Sequence, residues 1–338
     1  MSGVTLPHVP PSRHALTQGA TIACAMVVLA TSAAILAGWI PIQFSIAAVF
    51  LFAGPHNWFE ARYILGRLPA RAGKLFGFFA VSFAGIFGLA LSFALIPAYL
   101  HYGAATVASS AAYAVWNSAF VLWIATLVQM RGNTNPRFDA GWVWPAAFLL
   151  IAGNWLQPFA FSMAIVYLHP CMALVILDRE LKKSRPDWRQ AYRFLLLLIP
   201  AYVGFLWVRL HDSPPLPGDD ALTAAITAHA GDWFFTGVSN HFLVALHTFL
   251  ELVHYGVWVM VFPLIGLRSR AWRLDTIPAA RRSPSWRRAV SLFLAFGFCV
   301  VLLLWACFLV DYGTTRSIYF LVALLHVLAE VPFLLRVV

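Results

Sequence analysis

The sequence predicts an all-α, polytopic integral membrane protein, and three observations carry that prediction. Hydrophobic residues make up 61% of the 338, charged residues only 11%, and mean hydropathy is +0.78. Such values belong to chains dissolved in lipid rather than water. About ten apolar stretches are long enough to cross a bilayer core as helices, which takes about 20 residues. The 23 Lys and Arg fall almost entirely into every second loop between those stretches, the pattern that fixes membrane orientation.

The first stretch, 19–39, follows a tail at 1–18. Its apolar run is long, and the small residues Thr31-Ser32-Ala33-Ala34 lie inside it rather than after it, so it reads as a retained span, not a cleaved signal. The second, 43–62, is interrupted by Gly54-Pro55 and carries His56 and Glu60. The third and fourth are 75–99 and 105–129. The fifth, 140–154, is short and meets the sixth, 157–178, at Asn154-Trp155-Leu156-Gln157-Pro158, a sequence suited to a tight turn between antiparallel helices. After the seventh, 194–210, comes an outer loop at 212–235. It begins Pro-rich, offers Ala221 to Ala230 as a short interfacial helix, and ends in Trp233, Phe234 and Phe235, which suit the headgroup layer. The eighth, 236–266, and the ninth, 289–310, flank a basic loop at 267–288, and the tenth is 317–336. The whole of 1–338 reads as one transmembrane domain.

Charge sets the orientation. Arg62, Arg67, Arg71 and Lys74, then Arg131 and Arg137, then Arg179 to Arg193, Arg268 to Arg288 and Arg336 all follow even-numbered stretches, and only Arg209 and Arg316 follow odd ones. Both termini are therefore expected in the cytoplasm. The pI near 9.8 has the same origin. Its charges are spread over separate short loops without interleaved aromatics, which fits contact with anionic lipid on the cytoplasmic side and argues against a nucleic-acid partner. No glycine-rich nucleotide loop, Gly-x-Ser-x-Gly elbow or Cys-x-x-Cys pair occurs. Cys24, Cys171, Cys299 and Cys307 read as packing thiols within the membrane.

Against this apolar background, three stretches carry a histidine followed four residues later by a glutamate: His56 and Glu60, His247 and Glu251, His326 and Glu330. The middle pair continues to His254. Residues four apart lie about 40° from each other on one helix face, so imidazole and carboxylate are stacked three times. Ionisable groups at such depth cost about 2.5–3.5 kcal/mol each on insertion scales and face a bundle interior. With His169 on the sixth stretch, five histidines are embedded. Counting back from the first basic residue after each stretch, His56, His169, His254 and His326 fall within a slab about 12 Å thick, with His247 about 10 Å further out.

A shared metal would satisfy them together. His56, His247, His254 and His326 are the expected ligands, with His169 a fifth; Glu251 and Glu330 are catalytic candidates as ligands or as acceptors of a far ring N–H, and Glu60 is a further candidate nearer the interface. Imidazole with carboxylate suits iron, zinc and manganese, with copper also open. Structural ion pairing, a proton or metal transport pathway, and haem or chlorophyll ligation are the competing readings. His8, His14, His101, His211 and His229 read as solvated, Arg62 and Tyr63 as interface markers, and Asp178 and Asp311 as capping or solvated residues at span ends. The odd stretches are expected to pack and stretches two, six, eight and ten to carry the chemistry.

The order Pro55-His56-x3-Glu60, mid-chain His169, paired His247 and His254, and final His326 resembles the Brp/Blh family of bacterial membrane β-carotene dioxygenases. That resemblance implies a non-haem iron centre held mainly by histidine, oxidising a lipid-soluble isoprenoid such as a carotenoid with O2 in the bacterial inner membrane. Asn57 stands where the family has glycine, and the paired histidines are further apart here, so the substrate does not carry over.

Overall fold

A computed structural model of the chain describes residues 13–102, 106–135, 139–218, 220–265 and 271–337. These residues form helices joined by short turns, with no strand among the described residues. Eight segments are long and apolar enough to cross a membrane, as the composition requires of an all-α membrane bundle.

The other two expected stretches are helices as well, and each falls short for a physical reason. α5 (Val143–Leu156) has 14 residues, about 21 Å against a hydrocarbon core of about 30 Å. α2 (Pro41–Arg67) has 27 residues, but His56, Asn57, Glu60 and Arg62 make its second half polar. The turn into α6 (Pro158–Leu168) lies at Gln157, as the sequence indicated. Asn117 on α4 (Thr106–Thr134) donates to Asn154 Oδ1 at 2.9 Å and to the Pro158 carbonyl at 3.0 Å, so a buried amide knot fixes α4, α5 and α6 together.

α1 (Arg13–Trp39) begins six residues earlier than the expected tail boundary; residues 1–12 lie outside the described residues, as do Arg137, Arg268 and Arg270 of the basic loops. It packs on α11 (Asn240–Gly256), the most enclosed helix of the bundle, with Ala33, Ala34 and Ala37 at 0–2% exposure. Gly256 permits this approach: a Cβ there would stand 2.2 Å from Leu29 Cδ2. Beyond Gly256, α11 loosens into a π-turn, Val257–Val261, before the short α12 (Phe262–Ile265).

The sixth stretch is two helices, not one. Pro170 has no N–H to continue α6, so a 3₁₀ turn, His169–Cys171, intervenes before α7 (Met172–Ser184). Asp178 and Glu180 on α7 are tied down rather than solvated. Asp178 accepts from Arg189 at 2.6 Å and Arg193 at 2.9 Å on α8 (Pro186–Leu195), and Glu180 accepts from the Tyr63 hydroxyl at 2.6 Å and from Arg67. Arg62 is likewise no interface marker. At 1% exposure it donates to the carbonyls of Ala271 (2.5 Å) and Arg273 (3.1 Å) and to Thr276 Oγ1 (2.6 Å). Asp311 does cap, accepting from the Thr314 amide at 3.0 Å.

α3 (Phe76–Tyr102) and α13 (Pro284–Val310) turn broad apolar faces outward. Leu91 on α3 is 65% exposed, so Leu91→Met is expected to leave stability within about 0.5 kcal/mol of wild type and any activity intact. A melting shift of several degrees in detergent would contradict that placement. α9 (Leu198–Leu210) and α14 (Tyr312–Val337) complete the bundle around α11 and α2.

Candidate metal centre

Four histidines from four segments meet in the middle of the bundle: His56 on α2, His169 in the 3₁₀ turn, His254 on α11 and His326 on α14. Ring centroids lie 5.4 Å apart for His56–His254, 5.2 Å for His56–His326, 4.8 Å for His169–His254 and 5.0 Å for His169–His326. The four rings thus close a quadrilateral, with His254–His326 across it at 6.3 Å.

The ring orientations follow from backbone carbonyls. His56 Nδ1 is 2.9 Å from the Phe52 carbonyl, and His254 Nδ1 is 3.3 Å from the Pro170 carbonyl. A carbonyl only accepts, so both Nδ1 atoms carry the proton and both Nε2 atoms are left as lone pairs. His169 Nδ1 faces Glu330 Oε2 at 3.2 Å, and its Nε2 lies 3.1 Å from His326 Nε2. Two nitrogens 3.1 Å apart, each about 2.0–2.1 Å from one ion, would subtend about 100°, between octahedral and tetrahedral ligand angles.

The glutamates stand one turn behind two of these rings. Glu60 and Glu330 are each 1% exposed. One ligand atom from each of His56, Glu60, His254 and His326 lies within 4.8 Å of all the others. Both oxygens of Glu60, Oε1 of Glu330 and Nε2 of His254 are buried without a hydrogen-bond partner. An uncompensated buried carboxylate is strongly unfavourable. Two of them beside four imidazoles, two of which present a lone-pair Nε2, are a donor set that suits a divalent cation, whose charge they would neutralise, so the residues present fit a metal ion.

A cavity of about 500 Å³ opens on these rings. Its walls are chiefly apolar and aromatic, with Phe93, Tyr113, Trp116, Phe159 and Phe320 among them. α3 therefore contributes a wall, not packing alone. Tyr255 packs against His56 with ring centroids 4.5 Å apart and planes tilted by 37°, and its hydroxyl donates to Glu251 Oε1 at 3.5 Å.

His247 does not join the four. Seven residues separate it from His254 along α11, a rise of about 10 Å, so one straight helix cannot bring both to one ion. Its ring lies instead 4.9 Å from His229, with Glu251 Oε2 3.5 Å from its Nδ1. Glu251 belongs with that second group and not with the four-histidine cluster. His229, read as solvated from the sequence, is held between His247 and Phe320, the latter at 4.4 Å. His8 and the side chains of His14 and His101 lie outside the described residues; His211 is exposed and pairs with Asp212 at 2.8 Å.

Compared with known family models, curated proteins and solved structures, the chain matches none of them.

Proposed function

We propose that this chain is a membrane-embedded, metal-dependent oxygenase that binds non-haem iron through His56, His169, His254 and His326 and oxidises a lipid-soluble molecule of the carotenoid or isoprenoid class. The observation that carries this reading is the convergence of four imidazoles, backed by Glu60 and Glu330, on the wall of a cavity of about 500 Å³. Its finer setting is a bundle of ten spans with both termini cytoplasmic, in a bacterial inner membrane with anionic lipid against the basic loops. Iron bound by these histidines would supply activation of O2 in a site shielded from water.

The chain's own residues do the rest. Phe52 and Pro170 carbonyls hold two imidazoles in the tautomer that presents Nε2. Glu330 orients His169 and, with Glu60, balances the charge of the centre. The aromatic walls exclude water and leave room for an extended apolar chain. Neighbouring rings 4.8–5.4 Å apart around the quadrilateral also favour a small ion over a flat macrocycle threaded among them.

The test joins metal analysis of the purified protein to incubation with ¹⁸O₂ and carotenoid or quinone substrates. Iron near one per chain, lost in His254→Ala and His326→Ala, with label in the product, is the expected result. Stoichiometric iron that survives both substitutions, or oxidised product without label, would sink the assignment.

A second reading has one observation behind it. The 3₁₀ turn at His169–Cys171 and the π-turn after Gly256 put irregular helix beside the buried histidines, the region where transporters with broken helices bind cargo. Uptake of protons or metal into proteoliposomes, abolished by Glu251→Gln, would favour it over catalysis.

A further inference from the structure

We infer that His229, His247 and Glu251 form a second metal site on the same cavity, about two helical turns along α11 from the four-histidine cluster. The site does not rest on the oxygenase reading. One ligand atom from each of the three residues lies within 4.8 Å of the other two. Two imidazoles and one carboxylate suit divalent iron or zinc and leave a coordination position open. That side faces the cavity, which all three residues line.

The framework holds His229 in place, although it belongs to a nine-residue helix, α10 (Ala221–His229). Asp220 caps that helix, accepting from the Thr223 amide at 2.8 Å and hydroxyl at 2.6 Å. These bonds hold the Asp220 carboxyl below its ordinary value of about 4. The cap is therefore at full strength above that value and is lost as pH falls through the lower, folded one. The far end is pinned by Tyr167, whose hydroxyl donates to the Ala230 carbonyl at 2.7 Å, and by Trp233, which donates to the Ala228 carbonyl at 2.9 Å. Gly231 follows with φ +85°, where a Cβ would stand 2.7 Å from Met163 Sδ. A loop histidine needed only for solubility would have no use for such fixation.

Two further observations point to a ligand. Glu251 Oε2 is buried without a hydrogen-bond partner, and its ion-pair contact is His247 at 3.5 Å. Arg316 stands beside the site, with its guanidinium over Phe320 at 4.6 Å, the ring that packs on His229 at 4.4 Å. With Glu251 as sole carboxylate, that cation favours an anion in the open position: hydroxide, or an acidic end group of a molecule lying in the cavity. An ion at each end would fix the register of a long chain between them.

The experiment loads metal-free, full-length protein with Co2+ and follows ligand-field absorption together with metal per chain. Two ions per chain are expected. His229→Ala and His247→Ala should each remove one ion and the same set of bands, whereas His254→Ala should leave those bands in place. His229→Cys, which keeps a ligand, should restore binding and add a thiolate-to-metal charge-transfer band, so a folding defect in the alanine variants is separable from ligand loss. A stoichiometry of one or less that is unchanged by His229→Ala, or no charge-transfer band in His229→Cys, overturns the site. Because loss of the four-histidine centre would be read in His254→Ala, the two proposals fail separately.

Discussion

His254→Ala is expected to weaken metal binding at the four-histidine centre by about 100-fold or more and to remove activity with it. Changing partners one shell out from a metal already costs about 10–100-fold, and His254 offers the ring nitrogen that the structure leaves buried and unpartnered. Its loss also frees the Pro170 carbonyl, so the break that presents His169 is expected to loosen. The comparison that isolates the effect is His211→Ala, a substitution at an exposed position on α9's far end. Metal content of both variants after identical purification, with size-exclusion profiles to exclude aggregation, checks the expectation. Equal metal in the two would show that the quadrilateral of rings binds nothing. Glu60→Gln should show the milder, roughly 10–100-fold defect of a charge-balancing neighbour.

The second large effect lies away from the site. Arg62→Ala should destabilise the fold by about 3 kcal/mol, because it removes charge-assisted bonds to the Ala271 and Arg273 carbonyls and to the Thr276 hydroxyl, of which the Arg273 carbonyl keeps Thr276 as a donor. Arg62→Lys should recover only part, since an ammonium cannot spread its donors over the same fork. Unfolding titrations in mixed micelles measure the loss, and limited proteolysis at 271–276 reports whether that segment comes free. A wild-type melting curve with unchanged proteolysis in Arg62→Ala would mean that the segment is held by packing alone.

The convergence of four rings was legible because two sequence signals coincided. The four-residue spacing stacks carboxylate on imidazole, and counting from the basic loops placed His56, His169, His254 and His326 at similar depth and His247 further out. What that counting could not show is which partner His247 finds. His229 reaches it through a fold-back made by Tyr167 and Gly231, contacts between residues far apart in sequence that leave no periodic trace. The split at His169 did have a signal, Pro170 directly after it, which an unbroken apolar stretch from 157 to 178 obscured. Arg62 was misread for a related reason. An arginine at a span end usually snorkels to water, and only the return of residues 271–276 over α2 buries it.

The polarity of α2 has a consequence for how the protein is made. This helix carries His56, Glu60 and Arg62, yet α11, α13 and α14, which enclose most of it, are encoded far downstream. The gap from α2 to α11 is about 170 residues, which at about 5–20 residues per second takes the ribosome about 10–35 s. Until α7 brings Glu180 to Tyr63 and Arg67, α2 has only α1 of its final neighbours beside it, and Arg62 waits the whole interval for the carbonyls of Ala271 and Arg273. The nascent chain is therefore expected to need shelter for Glu60 and Arg62 until their later neighbours emerge, so yield should respond to synthesis rate as well as to final stability.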